Sequence, residues 1–380
     1  MPAALTAVPV LHQFVPTLDP GAVGPHLLEI QRTLRGAGWE SEVLSEHTKP
    51  PYEGRAHRFR DYGTVVPARD DDVLVYHAAI GSSVADWLMD RRPPRLVVDY
   101  HNITPPAWFD GWEPAIADGL AWGRAQLRRL AQRSRFGVAD SAFNAAELHR
   151  FGWRRTAVLP ILVPPAALAG VPDPARVAEL RSGPGAHWLF VGRLAPNKRQ
   201  HLLLAALSTY RRVYDPDARL DLVGPASSPA YEAALRAYCC DLGLGEAVTF
   251  TGAVSDAERD ARYAAADVFV CLSAHEGFLV PLLEAWYHRV PVVAVDAAAV
   301  PETMGDAGIL LPSPSAELVS AAVGRVLGDP ALATALRTAG GARLECFAPE
   351  RTAATLLELA GALADGLADP PGLQSLRGRR

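Results

Sequence analysis

Two adjoining stretches decide the fold of this chain, VFVCL at 268–272 and HEGFLVPLLE at 275–284. The first is short and wholly apolar, which predicts a buried strand of a parallel sheet. The second contains Pro281, a residue that suits the first turn of a helix. Together they predict a strand, a tight turn and a helix, the repeating unit of a doubly wound α/β sheet.

The predicted turn and helix carry two carboxylates eight residues apart, Glu276 in the loop and Glu284 on the helix. Backbone N–H groups of 277–280 would point at an anion from the positive end of the helix dipole. Each carboxylate can accept hydrogen bonds from vicinal hydroxyls. Glu284 alone has a simpler explanation, since acids favour first helical turns. Its pairing with Glu276 favours a ligand with both hydroxyls and phosphates, such as a sugar nucleotide.

Short apolar runs alternate with amphipathic stretches along the whole chain, as in βαβ units. Strands are predicted at 8–14, 42–44, 73–76, 96–100, 137–140 and 156–159, then at 188–191, 220–223, 248–251, 268–272 and 292–295. The predicted fold class is α/β, with two doubly wound, Rossmann-like domains. Ligands of such sheets bind beyond the carboxyl ends of the strands, so two facing domains would form an interdomain cleft.

Three prolines within 160–165 predict the boundary between the two domains. The expected organisation is a first domain at 1–162, a second at 163–347, a closing helix at 348–367 and a loose tail at 368–380.

The segment GRLAPNK at 192–198 follows one predicted strand and precedes the helix predicted at 200–213. Arg193 and Lys198 would therefore both project from a strand's carboxyl end. Two cations near a helix start are unfavourable unless an anion binds between them. A guanidinium and an ammonium suit a diphosphate whose charge grows as it leaves. Arg193 and Lys198 could simply be solvated loop residues. The presence of Glu276 and Glu284 at the next strand-to-helix turn favours the anion site over that explanation.

The first domain offers two weaker signals at strand ends. GAVG at 21–24 follows the first strand, where Gly24 would let the backbone approach a ligand closely, although a simple tight turn explains it equally well. DYHN at 99–102 ends another strand and would place His101 facing the cleft. A lone histidine is more often structural than catalytic, so that position is what favours a functional role.

The segment 275–284 resembles the Glu-x7-Glu motif of retaining glycosyltransferases of family 4, which have the two-domain GT-B fold. The resemblance implies that the first domain lies on the acceptor side, that the second binds the nucleotide sugar and that the closing helix at 348–367 returns to the first domain. It also implies that Glu276 contacts the donor hexose, Glu284 the ribose, Arg193 and Lys198 the diphosphate, and His101 the donor sugar. The remaining donor-binding positions it implies are Gly24, Gly277, Phe278, Leu279 and Val280. Leu279 departs from the family, where a small residue is common, so the sugar pocket is expected to differ in shape.

The implied activity moves a hexose from a nucleoside diphosphate sugar to a hydroxyl of a glycan or lipid-linked glycan, with retention of configuration. Bacterial surface polysaccharide or glycolipid synthesis is the expected setting. Glu276, His101, Lys198 and Arg193 are the candidate catalytic residues. No protein nucleophile emerges, which agrees with front-face transfer assisted by the leaving phosphate. No cofactor or obligatory metal is expected, because Asp70–Asp72, which precedes a strand, is predicted to be a solvated turn.

Three alternatives stay open at this point. A GT-B-like epimerase would act on the sugar nucleotide without an acceptor. A catalytically silent partner subunit would keep the fold but bind no donor. A NAD-dependent dehydrogenase is disfavoured, since no Gly-x-Gly-x-x-Gly fingerprint follows the first strand.

Composition limits the class of protein further. The 380 residues are 49% hydrophobic with a formal net charge of −5, which gives no electrostatic case for nucleic acid. The four cysteines, Cys239, Cys240, Cys271 and Cys346, show neither disulfide nor metal-ligand spacing and fit a reducing cytoplasm. No signal peptide or membrane-spanning run is recognisable, so a cytoplasmic location is expected.

One basic run has no acidic residue between Asp118 and Asp140; it comprises Arg124, Arg128, Arg129, Arg133 and Arg135. Such a run is usually a solvated helix face. Because many family 4 relatives use lipid-linked acceptors, peripheral attachment at the inner face of the plasma membrane is a second hypothesis.

Overall fold

A computed structural model of the chain describes residues 8–164 and 170–366. They divide into two units. One contains the described residues up to Pro105, Asp118–Pro164 and the described residues from Phe347 onward. The other contains Pro106–Ala117 and the described residues from 170 to Cys346. The expected tail at 368–380 lies outside the described residues.

The first unit is built on a seven-stranded parallel sheet of order β3-β2-β1-β4-β5-β6-β7. Its strands are β1 Leu11–Leu18, β2 Val43–Thr48, β3 His57–Arg58, β4 Val73–Ala78, β5 Leu96–Tyr100, β6 Phe136–Ala139 and β7 Thr156–Val158. Its helices are α1 Val23–Gly36, α2 Ser83–Arg91, α3 Pro114–Leu130 from Asp118 on, α4 Ala142–Phe151 and, at the end of the chain, α13 Pro349–Ala364.

The second unit has a six-stranded parallel sheet of order β10-β9-β8-β11-β12-β13. Its strands are β8 His187–Val191, β9 Arg219–Val223, β10 Val248–Gly252, β11 Val268–Cys271, β12 Val292–Val295 and β13 Ile309–Leu311. Its helices are α5 Pro174–Arg181, α6 Gln200–Val213, α7 Pro229–Asp241, α8 Asp256–Ala265, α9 Pro281–Tyr287, α10 Val300–Met304, α11 Ala316–Gly328 and α12 Pro330–Leu344.

Two parallel sheets with intervening helices confirm the predicted α/β class. In each unit the chain begins at a central strand and adds strands towards one edge of the sheet. It then returns to the centre and adds the remaining strands towards the other edge. The order therefore reverses between β1 and β4 and again between β8 and β11. Such a switch point is where ligands bind in doubly wound sheets.

Both units have apolar cores that the strand and helix patterns explain. β4 is buried throughout, as expected for a central strand covered on both faces. In α13, Leu356 and Leu359 share a core with Leu11, Ile30 and Leu34. Each buried leucine contributes about 1.5–3 kcal/mol to the stability of the fold. These contacts therefore hold α13 against the first unit's core.

The segment Pro106–Ala117 has contacts of its own in the second unit. Ser228 Oγ donates to the carbonyl oxygen of Trp112 (3.1 Å), and the Trp112 ring meets the Tyr231 ring edge-on with centroids 5.1 Å apart. The Arg199 guanidinium lies 5.1 Å from the centre of the Trp108 ring. None of the helices in residues 8–164 and 170–366 is both long and apolar enough to cross a bilayer.

Candidate active site

The strongest candidate site lies at the switch point of the second sheet, where Lys198 and Glu276 meet. Lys198 lies in the loop after β8 and Glu276 in the loop after β11, and these two strands are neighbours. The ammonium Nζ of Lys198 donates to both carboxylate oxygens of Glu276, each at 2.6 Å. Adjacent parallel strands end at one edge of the sheet, which is why residues 78 positions apart come together.

This ion pair is partly removed from water and held by backbone contacts. The Glu276 side chain is 8% exposed and that of Lys198 is 22% exposed. The amide of Ala274 donates to the carbonyl oxygen of Asn197 (2.8 Å), which ties the two loops together. The amide of Ala299 donates to the Glu276 carbonyl oxygen (3.2 Å). Lys198 is also one of only two lysines in the chain, the other being Lys49.

Arg193 lies beside this pair in sequence but is presented differently. Its carbonyl oxygen accepts a hydrogen bond from Gln200 Nε2 (3.0 Å), which fixes the loop, while the residue itself is exposed. The loop needs glycine nearby, because a Cβ on Gly224 (φ 134°) would lie 2.3 Å from the Gly192 carbonyl oxygen. Across the described residues its guanidinium has no ion-pair partner, so its charge is available to a bound anion.

The carboxylate of Glu284 contacts side chains of α8 rather than Glu276. Tyr263 donates its hydroxyl proton to Glu284 Oε2 (2.8 Å), and Arg259 Nε lies 3.5 Å from Oε1. Burial raises the pKa of Glu284, against the opposing charge of Arg259. Its ribose contact stays a prediction.

The turn between these two acids has an unusual backbone. Leu279 has a φ of 73°, a conformation in which a branched side chain is rare. Phe278 and Leu279 are both buried, and α9 begins with Pro281 at its first turn as predicted. Strain of this kind, about 1–3 kcal/mol, is common where a ligand contact requires one backbone geometry.

In the first unit, Gly24 has a structural explanation. A Cβ at this position would lie 1.8 Å from the carbonyl oxygen of Asp19, so no other residue fits without moving the backbone. Of the two explanations that the sequence leaves open, this contact supports the tight turn. A ligand contact at Gly24 stays a prediction.

His101 follows β5 and has a side chain only 1% exposed. Its Nε2 lies 2.8 Å from His77 Nδ1, and its Nδ1 lies 2.9 Å from Asp140 Oδ1. Burial opposes a charge on this imidazole, but the carboxylates of Asp140 and Asp99 outweigh burial and raise the pKa of His101 to about 9. Both ring nitrogens are thus engaged inside the unit, which distinguishes His101 from a freely presented base.

Several neighbours of the predicted site residues were missed from the sequence. Asp140 follows β6, the strand next to β5, so the shared sheet edge could have indicated its contact with His101. Tyr263 and Arg259 carry no such signal, because only tertiary packing brings α8 to Glu284.

Two other expectations change with the structure. The solvated turn predicted at Asp70–Asp72 is wrong for Asp72, which is 2% exposed and accepts a hydrogen bond from the Tyr62 hydroxyl (2.7 Å). The basic run is a solvated face except at Arg124, which is partly buried and donates to Glu147 (2.6 Å); the exposed Arg129 donates to Asp86 (2.9 Å).

Comparison with known proteins finds that this chain is similar to glycosyltransferases. A family model described as glycosyl transferases group 1 matches residues 185–329, which include Lys198, Glu276 and Glu284. A GDP-mannose-dependent alpha-(1-6)-phosphatidylinositol monomannoside mannosyltransferase of Mycolicibacterium smegmatis is 36% identical over 286 residues, 66% of this chain and 73% of that protein.

The enzyme of the same name from Mycobacterium tuberculosis is 36% identical over 182 residues, 44% of this chain, and the match spans about half (46%) of that relative's length. Among solved structures, sucrose-phosphate synthase of Thermosynechococcus elongatus matches with a TM-score of 0.74 at 19% identity, over 94% of this chain and 100% of that one. At this identity the likeness concerns the GT-B fold alone.

Proposed function

The chain belongs to the glycosyl transferases of group 1, and from that membership we propose that it moves a hexose from a nucleoside diphosphate sugar to a hydroxyl acceptor, with retention of configuration. One observation carries the proposal, the contact between Lys198 and Glu276 at the switch point of the second sheet. It places a cation and an acid together where a doubly wound sheet binds its ligand.

In the proposed reaction the bond between the anomeric carbon and the β-phosphate oxygen breaks while the acceptor oxygen bonds to that carbon on the same face. The acceptor's hydroxyl proton passes to the departing phosphate oxygen. Lys198 and Arg193 stabilise the growing diphosphate charge. Glu276 accepts hydrogen bonds from the hexose and fixes the Lys198 ammonium, and Glu284 serves the ribose.

The donor we propose to test first is GDP-mannose, because both mycobacterial relatives are named for it. The proposed acceptor is a hydroxyl of a glycan or glycolipid in bacterial envelope synthesis. These relatives act on a phosphatidylinositol monomannoside according to their names, which supports a glycolipid acceptor.

Binding and turnover can be tested separately. A ligand that binds only the folded protein at 100 times its Kd stabilises it by about 2.7 kcal/mol, so GDP-mannose should raise the unfolding temperature. GDP should then be released only when a glycolipid acceptor is added, and the product should keep the α configuration by NMR.

The two lysines supply a matched pair of variants. Lys198→Met should lose the protection by GDP-mannose and most transfer, while Lys49→Met should retain both. Protection in the wild type without acceptor-dependent release would support the epimerase alternative. If no nucleoside diphosphate sugar protects the wild type, the silent-partner alternative would replace transfer.

We also propose that the diphosphate step needs no added divalent metal, since Arg193 and Lys198 supply positive charge at the same loop. A short incubation with chelator should leave the initial transfer rate unchanged. A rate restored only by Mg²⁺ or Mn²⁺ would show that the leaving group depends on a cation.

Peripheral membrane contact is a further part of the proposal. A cavity of about 150 Å³ in the first unit is lined by Arg92, Arg129 and Arg133, with Asp90 as its acid. Arg129 is paired with Asp86 (2.9 Å), and the guanidinium groups of Arg92 and Arg133 suit an anionic lipid headgroup. Flotation with vesicles containing anionic lipid should carry the protein upward, and equal flotation with neutral vesicles would contradict this.

A further inference from the structure

A buried cluster in the first unit is unrelated to the diphosphate contacts. It consists of His26 on α1, His77 on β4, and Asp99 and His101 at the end of β5. One nitrogen or oxygen atom from each lies within 4.8 Å of the others, and all four residues are buried. Such groups are rarely brought together in a core without a reason.

The proton positions in this cluster follow from a backbone carbonyl that can only accept. Gln13 Nε2 donates to the Leu27 carbonyl oxygen (3.1 Å), so Gln13 Oε1 faces His77 Nε2 (3.2 Å) and accepts a hydrogen bond from its N–H. His77 Nδ1 then has a free lone pair. It points at His101 Nε2, 2.8 Å away.

The other nitrogen of His101 is fixed as well. Its Nδ1 donates to Asp140 Oδ1 at 2.9 Å. Each imidazole therefore gives one N–H to an outer oxygen and directs its second nitrogen inward. Metal-bound histidines show this arrangement, with a carboxylate or carbonyl oxygen accepting from the far nitrogen.

The inward atoms come close to the spacing of a coordination shell, except that the two nitrogens lie at hydrogen-bonding distance and would have to separate slightly to share one ion. Asp99 Oδ2 lies 3.4 Å from His77 Nδ1 and 3.7 Å from His101 Nε2, and the two nitrogens are 2.8 Å apart. Ligands bound tetrahedrally at about 2.0–2.1 Å are about 3.3 Å from one another. The observed distances fall on both sides of that value.

His26 is a supporting residue rather than a ligand. Its Nδ1 accepts a hydrogen bond from the amide of Leu162 (2.9 Å), so its Nε2 must carry the proton. That N–H faces Asp99 Oδ2 at 3.6 Å. It can orient the carboxylate but has no lone pair for a cation.

Charge balance favours a cation over a proton. Burial raises the pKa of Asp140. When Asp99 and Asp140 are both ionised, a single proton between His77 and His101 leaves one buried negative charge in the cluster. Among the described residues Asp99 Oδ1 has no hydrogen-bond partner. An uncompensated buried charge is strongly unfavourable. A divalent cation in place of that proton makes the cluster neutral.

We propose that His77 Nδ1, His101 Nε2 and Asp99 Oδ2 bind one divalent transition-metal cation, with Zn²⁺ as the ion that suits two imidazoles and a carboxylate. Binding releases the proton between the two histidines to solvent. The site includes His101, which the family resemblance implies for the donor sugar, but none of the residues that act in the proposed transfer step, and its test needs no activity.

The experiment measures metal content and affinity on the full chain. Protein stripped with chelator and dialysed is titrated with Zn²⁺ in a competing chelator, and bound metal is measured by mass spectrometry. The wild type should bind about one Zn²⁺ with release of about one proton. His77→Gln should lose the site. Gln13→Ala, which removes only the outer oxygen, should weaken binding about 10- to 100-fold.

His187→Gln is the matched control, because His187 also pairs with a buried carboxylate, Asp221 at 2.9 Å, in the second unit. It should bind Zn²⁺ like the wild type, with far-UV circular dichroism confirming the fold of each variant. Absence of tight Zn²⁺ binding by the wild type would overturn the proposal in favour of the proton-only network. Equal binding by the wild type and both cluster variants would place the metal elsewhere and overturn it too.

Discussion

Replacing Lys198 by methionine should destabilise the second unit, because it leaves the Glu276 carboxylate without its charged partner. The ammonium donates to both oxygens at 2.6 Å, and the carboxylate is 8% exposed. Breaking a fully buried pair costs about 3–5 kcal/mol. Since Lys198 is 22% exposed, solvent screening reduces the expected loss to about 2 kcal/mol.

A double-mutant cycle measures this loss and separates stability from catalysis. The variants are Lys198→Met, Glu276→Gln and the two combined. A loss of about 2 kcal/mol lowers the unfolding temperature by about 4–8 °C in a unit of this size. The double variant should recover more than half of that loss, because an amide without a charged partner is far less costly to bury than a carboxylate. The coupling free energy should be about 1–2 kcal/mol.

Transfer should not recover together with stability. The combined variant lacks both the ammonium proposed to stabilise the diphosphate and the carboxylate proposed to orient the hexose. A coupling free energy near zero would refute the claim that the pair is partly desolvated. Wild-type turnover in the combined variant would refute the assignment of the pair to the reaction.

Two further predictions concern buried groups and close contacts. Because its folded pKa is raised, the protonated form of Glu284 stabilises the fold below the unfolded pKa of about 4.3, and this contribution is lost as pH rises through the folded value. In urea titrations, the stability of Glu284→Gln relative to wild type should therefore increase from pH 4 to pH 7, while its protection by GDP-mannose weakens. A difference in unfolding free energy that decreases as the pH rises would contradict the raised pKa. Gly24→Ala should lower the free energy of unfolding by about 2 kcal/mol or more, because the added methyl overlaps Asp19. Gly36→Ala is the control: nothing lies within 4 Å of its added methyl, so it should raise the free energy of unfolding by about 0.5 kcal/mol. Equal unfolding temperatures for the two variants would exclude the Asp19 contact as the reason for glycine at position 24.

Local pattern was sufficient to place most elements of both sheets. Val292–Val295 and Leu96–Tyr100 were predicted with their observed bounds, since apolar runs between turn residues leave few alternatives. His57–Arg58 and Ile309–Leu311 were missed, because two- and three-residue edge strands have too few residues to show a period. The first strand was predicted too early, at 8–14 rather than Leu11–Leu18.

The sequence by itself determined the α/β class, most of the strand and helix order, and the loops in which Lys198 and Glu276 lie. Only the tertiary structure decided that these two side chains form an ion pair, that α8 holds Glu284 and that Asp140 reaches His101. The physical reason is that hydrophobic periodicity specifies local conformation and the buried face of each element. Contacts between residues far apart in sequence depend on strand order and helix packing, which periodicity does not encode.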